Sequence, residues 1–263
     1  MDLGLKNKVA LVAAASRGLG RAVAEELAAE GASLVLCARD TTTLTETAAS
    51  IANQTGAHVL AVPADVTDAA QVKQLVSSGI ERFGKIDIVV TNAGGPPAGR
   101  FDQLTQEQWE QATRLTLYSA VHLAREVLPG MKTRQWGRIL NITSIAVKQP
   151  VENLLLSNSL RAAVTGFART LANEVAADGI TVNNILPGYT RTERLDDLAR
   201  MMADKQGISA DEFRARWEEE IPMGRLGEPR EFAAVAAFLV SERASYITGT
   251  SIQVDGGWIK SLF

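Results

Sequence analysis

Apolar residues along this chain follow two alternating rhythms. Short runs rich in β-branched residues, at 9–12, 34–37, 59–62, 86–90, 138–142, 181–186 and 251–254, are separated by longer stretches in which apolar positions return every three or four residues. The runs are apolar on both faces, so each is expected as a strand covered on both sides. Strand and helix taken in turn build a parallel sheet. The chain is therefore expected to be α/β, a doubly wound parallel sheet of about seven strands with helices on both faces. An eight-unit barrel would need one more unit and would leave the first strand-to-helix turn unexplained. No repeat, low-complexity segment or Pro/Gly/Ser linker divides residues 1–263, which are expected to form one domain.

Composition removes several classes of partner. The 263 residues are 46% hydrophobic and 22% charged, enough to bury a large core, and the formal charge of −3 leaves no basic footprint for nucleic acid or an anionic membrane. The apolar runs are too short to span a bilayer, and the opening Met-Asp-Leu-Gly-Leu-Lys lacks the apolar stretch of a signal peptide. The expectation is a soluble, cytoplasmic protein whose partners are a small-molecule substrate and copies of itself. The lone Cys37 sits in an apolar run and reads as a small buried hydrophobe.

Candidate chemistry begins at the first turn. The first run leads into Ala13-Ala14-Ala15-Ser16-Arg17-Gly18-Leu19-Gly20, then into a helix with Val23, Leu27 and Ala28 on its apolar face. Between strand and helix, Gly18 and Gly20 let a pyrophosphate approach the backbone at the positive helix N-terminus, with Ser16, Arg17 and Leu19 beside it. A tight turn without a ligand would use the same glycines, so this segment alone leaves both readings open. After the second run the chain reads Cys37-Ala38-Arg39-Asp40, with alanine where a site for NAD(H) presents an acid. Arg39, with Arg17 closing from the other side, suits the 2′-phosphate of NADP(H). NAD(H) is the lesser fit, through Asp40, and two solvated arginines are the plain alternative.

Further segments follow the later strands in order. They are Asp65-Val66, Thr91-Asn92-Ala93-Gly94, Pro187-Gly188-Tyr189-Thr190-Arg191-Thr192, Gly224-Arg225-Leu226-Gly227-Glu228-Pro229, Ile247-Thr248-Gly249 and Val254-Asp255-Gly256-Gly257. Between them, Gly137 to Ser144 is followed by Ser157, thirteen residues beyond Ser144 (157 − 144 = 13), and by Arg161 at i+4 from Ser157. The set resembles the short-chain dehydrogenase/reductase family, and within it the 3-oxoacyl-acyl-carrier-protein-reductase-like members. That resemblance covers nearly the whole chain and implies a Rossmann-type fold. It implies a cofactor site in which Asp65 and Val66 hold the adenine, Asn92, Ala93 and Gly94 pass behind the cofactor, and Pro187, Gly188, Thr190 and Thr192 hold the nicotinamide amide. The family's first turn is Thr-Gly-x-x-x-Gly-x-Gly, and Ala13 and Ala14 replace its first two residues. A positive φ at Ala14 would cost about 1 kcal/mol relative to glycine.

Catalysis is where this chain departs from the family. There, Ser orients the substrate carbonyl, Tyr exchanges the proton, Lys lowers the Tyr pKa and binds the nicotinamide ribose, and an Asn holds a relay water. The resemblance puts Ser144 at the first position, Ser157 at the Tyr, Arg161 at the Lys and, counting back from Pro129, Thr116 at the Asn. Serine is shorter and a far weaker acid than a phenol. Arg161 lies on the helix face of Ser157 and keeps a charge for the ribose hydroxyls, but a guanidinium stays protonated and passes no proton. Lys148, Glu152 and Tyr189 are the remaining candidate donors, though each reads more simply as a solvated loop residue or, for Tyr189, as packing. His58 and His122 fall outside the motif segments without metal-ligand spacing, and no metal is expected.

Residues 192–222 are polar and charged, with a helical pattern through Leu195, Leu198, Met201 and Met202. In the resembled fold this segment is a lid over the substrate, and Met201, Met202, Phe213 and Trp217 would give it an apolar underside. The apolar stretch 235–240 and a final strand with Trp258 and Phe263 resemble the region through which relatives pair, so a homo-oligomer, a dimer or a tetramer, is expected. Two functions stand: an NADP(H)-dependent oxidoreductase of a carbonyl or alcohol with an altered proton-transfer group, or a catalytically silent NADP(H)-binding protein with a structural or regulatory role.

Overall fold

Alternate residues of each strand enter opposite cores, as the two-residue period of a strand requires. In β1 (Val9–Ala13), Ala10 and Val12 pack on one side, Val9, Leu11 and Ala13 on the other. In β2 (Ser33–Ala38), Leu34 and Leu36 part from Val35 and Cys37 in the same way. These relationships come from a computed structural model, which describes residues 1–262. The remaining strands are β3 (Val59–Pro63), β4 (Ile88–Thr91), β5 (Gly137–Ile142), β6 (Ile180–Pro187) and β7 (Ser251–Val254). All seven pair in parallel, in the order β3-β2-β1-β4-β5-β6-β7. This is the expected doubly wound, Rossmann-like sheet, and its order reverses between β1 and β4.

One core lies under α1 (Gly18–Ala29), α2 (Thr41–Thr55) and α9 (Pro229–Leu239), the other under α3 (Ala69–Phe83), α5 (Ser119–Arg134) and α6 (Leu155–Val175). Small residues, Ala22 and Ala24 on α1 with Ala233, Ala236 and Ala237 on α9, line the first core. α4 (Gln106–Thr113), α7 (Glu193–Gln206) and α8 (Ala210–Glu220) complete the helices longer than one turn or two. Among the described residues, no helix is long and apolar enough to cross a membrane.

Three expectations change. The fourth strand begins at Ile88 rather than at residue 86, because Asp87 leaves the apolar pattern: its buried carboxylate accepts from the Val9 amide (3.0 Å) and pairs with Lys85 (2.8 Å) and Arg134 (3.5 Å). That charge cluster ties the start of β1 to the start of its neighbour β4 and to the end of α5. The stretch 235–240 is less open than expected, since Ala236, Ala237, Leu239 and Val240 are buried within the chain itself. Trp258 lies beyond β7, buried with Leu186, Trp217 and Ile221, rather than in the final strand, and Phe263 lies outside the described residues.

Candidate functional site

The crevice at the carboxyl ends of β1 and β4 is where a doubly wound sheet leaves room for a ligand. Its floor is the turn after β1. Ala14 has φ +48°, the left-handed region that costs an alanine strain and that glycine enters freely. Gly20 cannot be larger: a Cβ there would overlap the Ala14 carbonyl oxygen and stand 2.8 Å from Asn92 Nδ2. That amide donates to the same carbonyl at 3.4 Å, so the turn after β1 is tied to the segment after β4. Gly18 (φ +59°) faces Thr192 across the crevice, with an added Cβ 3.9 Å from the threonine methyl. Arg17 spans the same gap to Glu193 at 3.2 Å, both side chains largely solvated.

At the adenine end, Asp40 is the N-cap of α2 and accepts from the Thr43 amide at 2.7 Å. Hydrogen bonds from the Thr43 side chain and amide hold its carboxyl below the usual range. Arg39 is exposed and, among the described residues, its side chain makes no hydrogen bond or ion pair. The free cation, rather than the occupied carboxylate, is thus presented beyond β2, as a 2′-phosphate requires. Asp65 accepts from the Thr67 amide at 2.9 Å, and Val66 is buried in the core beside Cys37. Ser16 uses its carbonyl to accept from the Thr47 hydroxyl at 2.9 Å, and Leu19 packs on the core under α1.

Across the crevice, the Gly188 amide donates to Val254 at 3.0 Å, and a Cβ at Gly188 would stand 2.7 Å from the Asp255 backbone. Pro187 ends β6. The Thr190 hydroxyl donates to the Gly188 carbonyl and that of Thr192 to the Thr190 carbonyl, each at 3.3 Å. Thr192 then caps α7.

Between these walls lies a pocket lined by Asn92, Ala93, Gly94, Thr116, Thr143 and Arg161, among others. Thr116 sits in a π-helical turn, Arg114–Tyr118, joining α4 to α5; such a turn carries one extra residue and re-aims a side chain. Among the described residues the Thr116 and Thr143 hydroxyls are buried without a hydrogen-bond partner, as is that of Thr181 in β6, outside this pocket. Buried orphans are rare because each costs desolvation energy, and two in one pocket mark a place built for a polar guest. Arg161, on α6, donates from Nε to Ser157 Oγ (3.2 Å) and from Nη1 to the Ile142 (3.1 Å) and Thr143 (2.6 Å) carbonyls. Its Nη2 makes no hydrogen bond and is the part left for a ligand. Burial, with the charge of Arg194 adding to it, pushes its pKa down to about 10, so it is still a cation at neutral pH. Ser144 lies at the end of β5 with its Oγ accepting from the Ala146 amide at 3.1 Å.

The three alternative donors lie elsewhere. Tyr189 is stacked on Trp217 (4.8 Å) and edge-on to Trp258 (5.7 Å), and burial pushes its phenol up to about 12. It is a packing residue. Lys148 donates to Gln253 at 2.6 Å, toward β7, and Glu152 is exposed. Of the apolar underside expected for 192–222, Phe213 and Trp217 are buried, whereas Met201 is turned to solvent. Sequence reasoning missed Arg194, whose Nη2 donates across the crevice to the Pro96 carbonyl at 3.4 Å; nothing in the local pattern marks it.

A sheet of this order, with a glycine turn and the Asn92 and Thr190–Thr192 segments facing one crevice, defines a dinucleotide-binding fold. The chain belongs to the short-chain dehydrogenase/reductase family: the model of the family described as enoyl-(acyl carrier protein) reductase matches residues 13–259. Among its relatives, the 3-oxoacyl-[acyl-carrier-protein] reductase FabG of Haemophilus influenzae is 35% identical over 253 residues, 96% of this chain and 98% of that one. The L-sorbose reductase of Gluconobacter frateurii, solved with NADPH and L-sorbose, superposes with a TM-score of 0.95 at 37% identity over the whole of both chains. Actinorhodin polyketide ketoreductase with NADPH gives 0.93 at 31% identity, covering 97% of this chain and 98% of that one.

Proposed function

We propose that this chain is an NADP(H)-dependent reductase of a carbonyl compound, working with Ser157 and Arg161 where the family has Tyr and Lys. The observation that carries this reading is the pocket in which Asn92, Thr116, Thr143 and Arg161 meet, with two orphan hydroxyls and a free guanidinium nitrogen. The residues present fit the cofactor. Gly18, Gly20 and Gly188 open the backbone where a Cβ would strain or clash, and Arg39 offers a cation to the 2′-phosphate, with Arg17 able to join it only by leaving Glu193. Arg161 Nη2 suits a ribose hydroxyl.

When bound, NADPH supplies the hydride that forms the new C–H bond. Ser144 orients the carbonyl oxygen, which takes a proton as the C=O bond becomes an alcohol. No phenol stands in the pocket, so the proton is assigned to solvent passing Ser157, and carbonyls already activated by neighbouring groups need the least help. Residues 192–222 serve as the lid, within a single domain. The protein works in the cytoplasm as a homo-oligomer, a tetramer, joined through the half-buried Val235 and Phe238 and the β7 edge.

One observation favours the second reading, a silent NADP(H)-binding protein: Arg161 spends two of its three nitrogens inside the fold. Calorimetric titration with NADPH, followed by its oxidation across ketones, aldehydes and quinones, separates the two. Binding with turnover is expected. Binding without turnover on any of them selects the silent protein, and no binding removes both.

A further inference from the structure

Four of the arginines around α7 and α8 are matched to carboxylates, while Arg216 on α8 donates to the Gln206 side chain at 2.7 Å. Arg191 pairs with Glu218 and Glu228, Arg200 with Asp197, Arg214 with Asp196 and Asp211, and Arg225 with Glu231. Arg194, in the first turn of α7, has no carboxylate. Glu193 beside it turns the other way, to Arg17. The Arg194 guanidinium instead crosses the crevice to the loop after β4. There its Nη2 makes one long hydrogen bond, 3.4 Å to the Pro96 carbonyl, and it lies so close to Gly95 that a Cβ would overlap Nη2 and stand 2.9 Å from Cζ.

Gly95 adjoins Gly94, a lining residue of the pocket that holds Arg161. Among the described residues Arg161 likewise has no carboxylate partner, its bonds going to a hydroxyl and two carbonyls. Burial holds its pKa down, and the charge of Arg194 adds to the effect, so the two cations lie within electrostatic reach of each other. Two guanidiniums converging on one crevice without a counter-charge repel each other, and an anion entering there gains from both. In the reading above the 2′-phosphate lies at Arg39 and the pyrophosphate at the N-terminus of α1, where Gly18 faces Thr192 and Arg17 pairs with Glu193. The acid and ester comparison below, made at saturating NADPH, separates a substrate anion from that one.

We infer that Arg194 is a specificity-determining residue that anchors a carboxylate of the substrate, so that the carbonyl compound is an oxo acid. This rests on the reductase reading. The planar fork of a guanidinium takes both oxygens of a carboxylate, and the missing Cβ of Gly95 lets it lie against the backbone at the crevice mouth.

The test compares acetoacetate and 4-oxopentanoate with their methyl esters at saturating NADPH, each pair sharing one carbonyl and differing in one charge. On the native chain at least one acid is expected to exceed its ester in kcat/KM by tenfold or more, through KM. In Arg194→Gln, and in Gly95→Ala, where the added methyl displaces the guanidinium, the preference falls to near unity; Arg194→Lys keeps part of it. Equal native turnover of acids and esters, or a preference that survives Arg194→Gln, overturns the inference and leaves the reductase reading standing. If none of the four is reduced, the same acids are titrated calorimetrically into the chain saturated with NADP+. Binding weakened tenfold or more by Arg194→Gln supports the anchor, and absent or unaltered binding overturns it.

Discussion

Arg161 reaches back one turn of α6 to Ser157, Nε to Oγ 3.2 Å, while its Nη1 holds the Ile142 and Thr143 carbonyls at the end of β5. A guanidinium bound in this way fixes the Ser157 hydroxyl as an acceptor and leaves the pair without a group that gives up a proton readily. Ser157→Tyr with Arg161→Lys restores a phenol beside an ammonium. It is expected to raise NADPH-dependent reduction of simple ketones at least tenfold above the native level, within the range general acid catalysis supplies. Ser157→Tyr alone gains less, because Arg161 stays tied to the backbone. Ser144→Ala is expected to abolish native turnover. Steady-state NADPH oxidation checks all three, and native rates kept in Ser144→Ala with a folded, inactive double variant would sink the proposed catalytic frame.

The exposed Arg39 and the occupied Asp40 predict cofactor choice. NADPH is expected to bind more tightly than NADH, and Arg39→Ala to remove most of the difference, about tenfold to a hundredfold for one charge-assisted contact. Titration of both cofactors into both proteins measures it. Equal native affinities contradict the assignment.

The glycine turn predicts two opposite effects of one methyl group. Gly20→Ala forces a Cβ into the Ala14 carbonyl and Asn92, and is expected to lower the melting temperature and abolish NADPH binding together. Ala14→Gly relieves the left-handed backbone, and after the entropy glycine adds to the unfolded chain it should gain about 0.5–1 kcal/mol, a rise in Tm of about 2 °C. Calorimetric melts decide. A lower Tm for Ala14→Gly would mean that the turn is relaxed.

Cys37 is buried in the core, and burial raises its thiol from near 9 to about 12. No labelling by a thiol reagent is expected at pH 8 in the native state, and one equivalent after denaturation. The folded form holds its proton above pH 9 where the unfolded form loses it. Its contribution to stability is therefore full below pH 9 and is lost as pH rises toward 12. Rapid native labelling at pH 8 would contradict this burial.

Light scattering at micromolar concentration is expected to show a tetramer. A monomer would leave Val235, Phe238 and the β7 edge uncovered and would remove the proposed assembly.

The sheet was legible because a strand buried on both faces writes itself as an unbroken apolar run, as Val9 to Ala13 does. Ile86 misled for the same reason: it is buried, but as the residue before Asp87, not as a strand position. Thr116 could be reached by counting from Pro129, yet its unpartnered hydroxyl depends on the π-helical turn, which has no sequence signature. Asp40 read as a ribose ligand, the lesser fit, and the structure instead uses it to cap α2 through the Thr43 amide. Tyr189 is packed by Trp217 and Trp258, which arrive from distant segments, so its retirement from chemistry was invisible locally. Arg194 stands out only in space, where its guanidinium meets the Pro96 carbonyl and Gly95 across the crevice.

The placing of β7 also bears on how the chain comes together during synthesis. β1, β2 and β3 are neighbours in both sequence and sheet, so the adenine side can assemble from an early, contiguous stretch. β6 gains its second neighbour only after α7, α8 and α9 have been made, and until then its open edge and the Gly188 amide have no partner in Val254. A nascent chain stalled before residue 251 would thus carry a finished adenine side beside an uncapped nicotinamide side, a species prone to pair its bare strand edge with another chain.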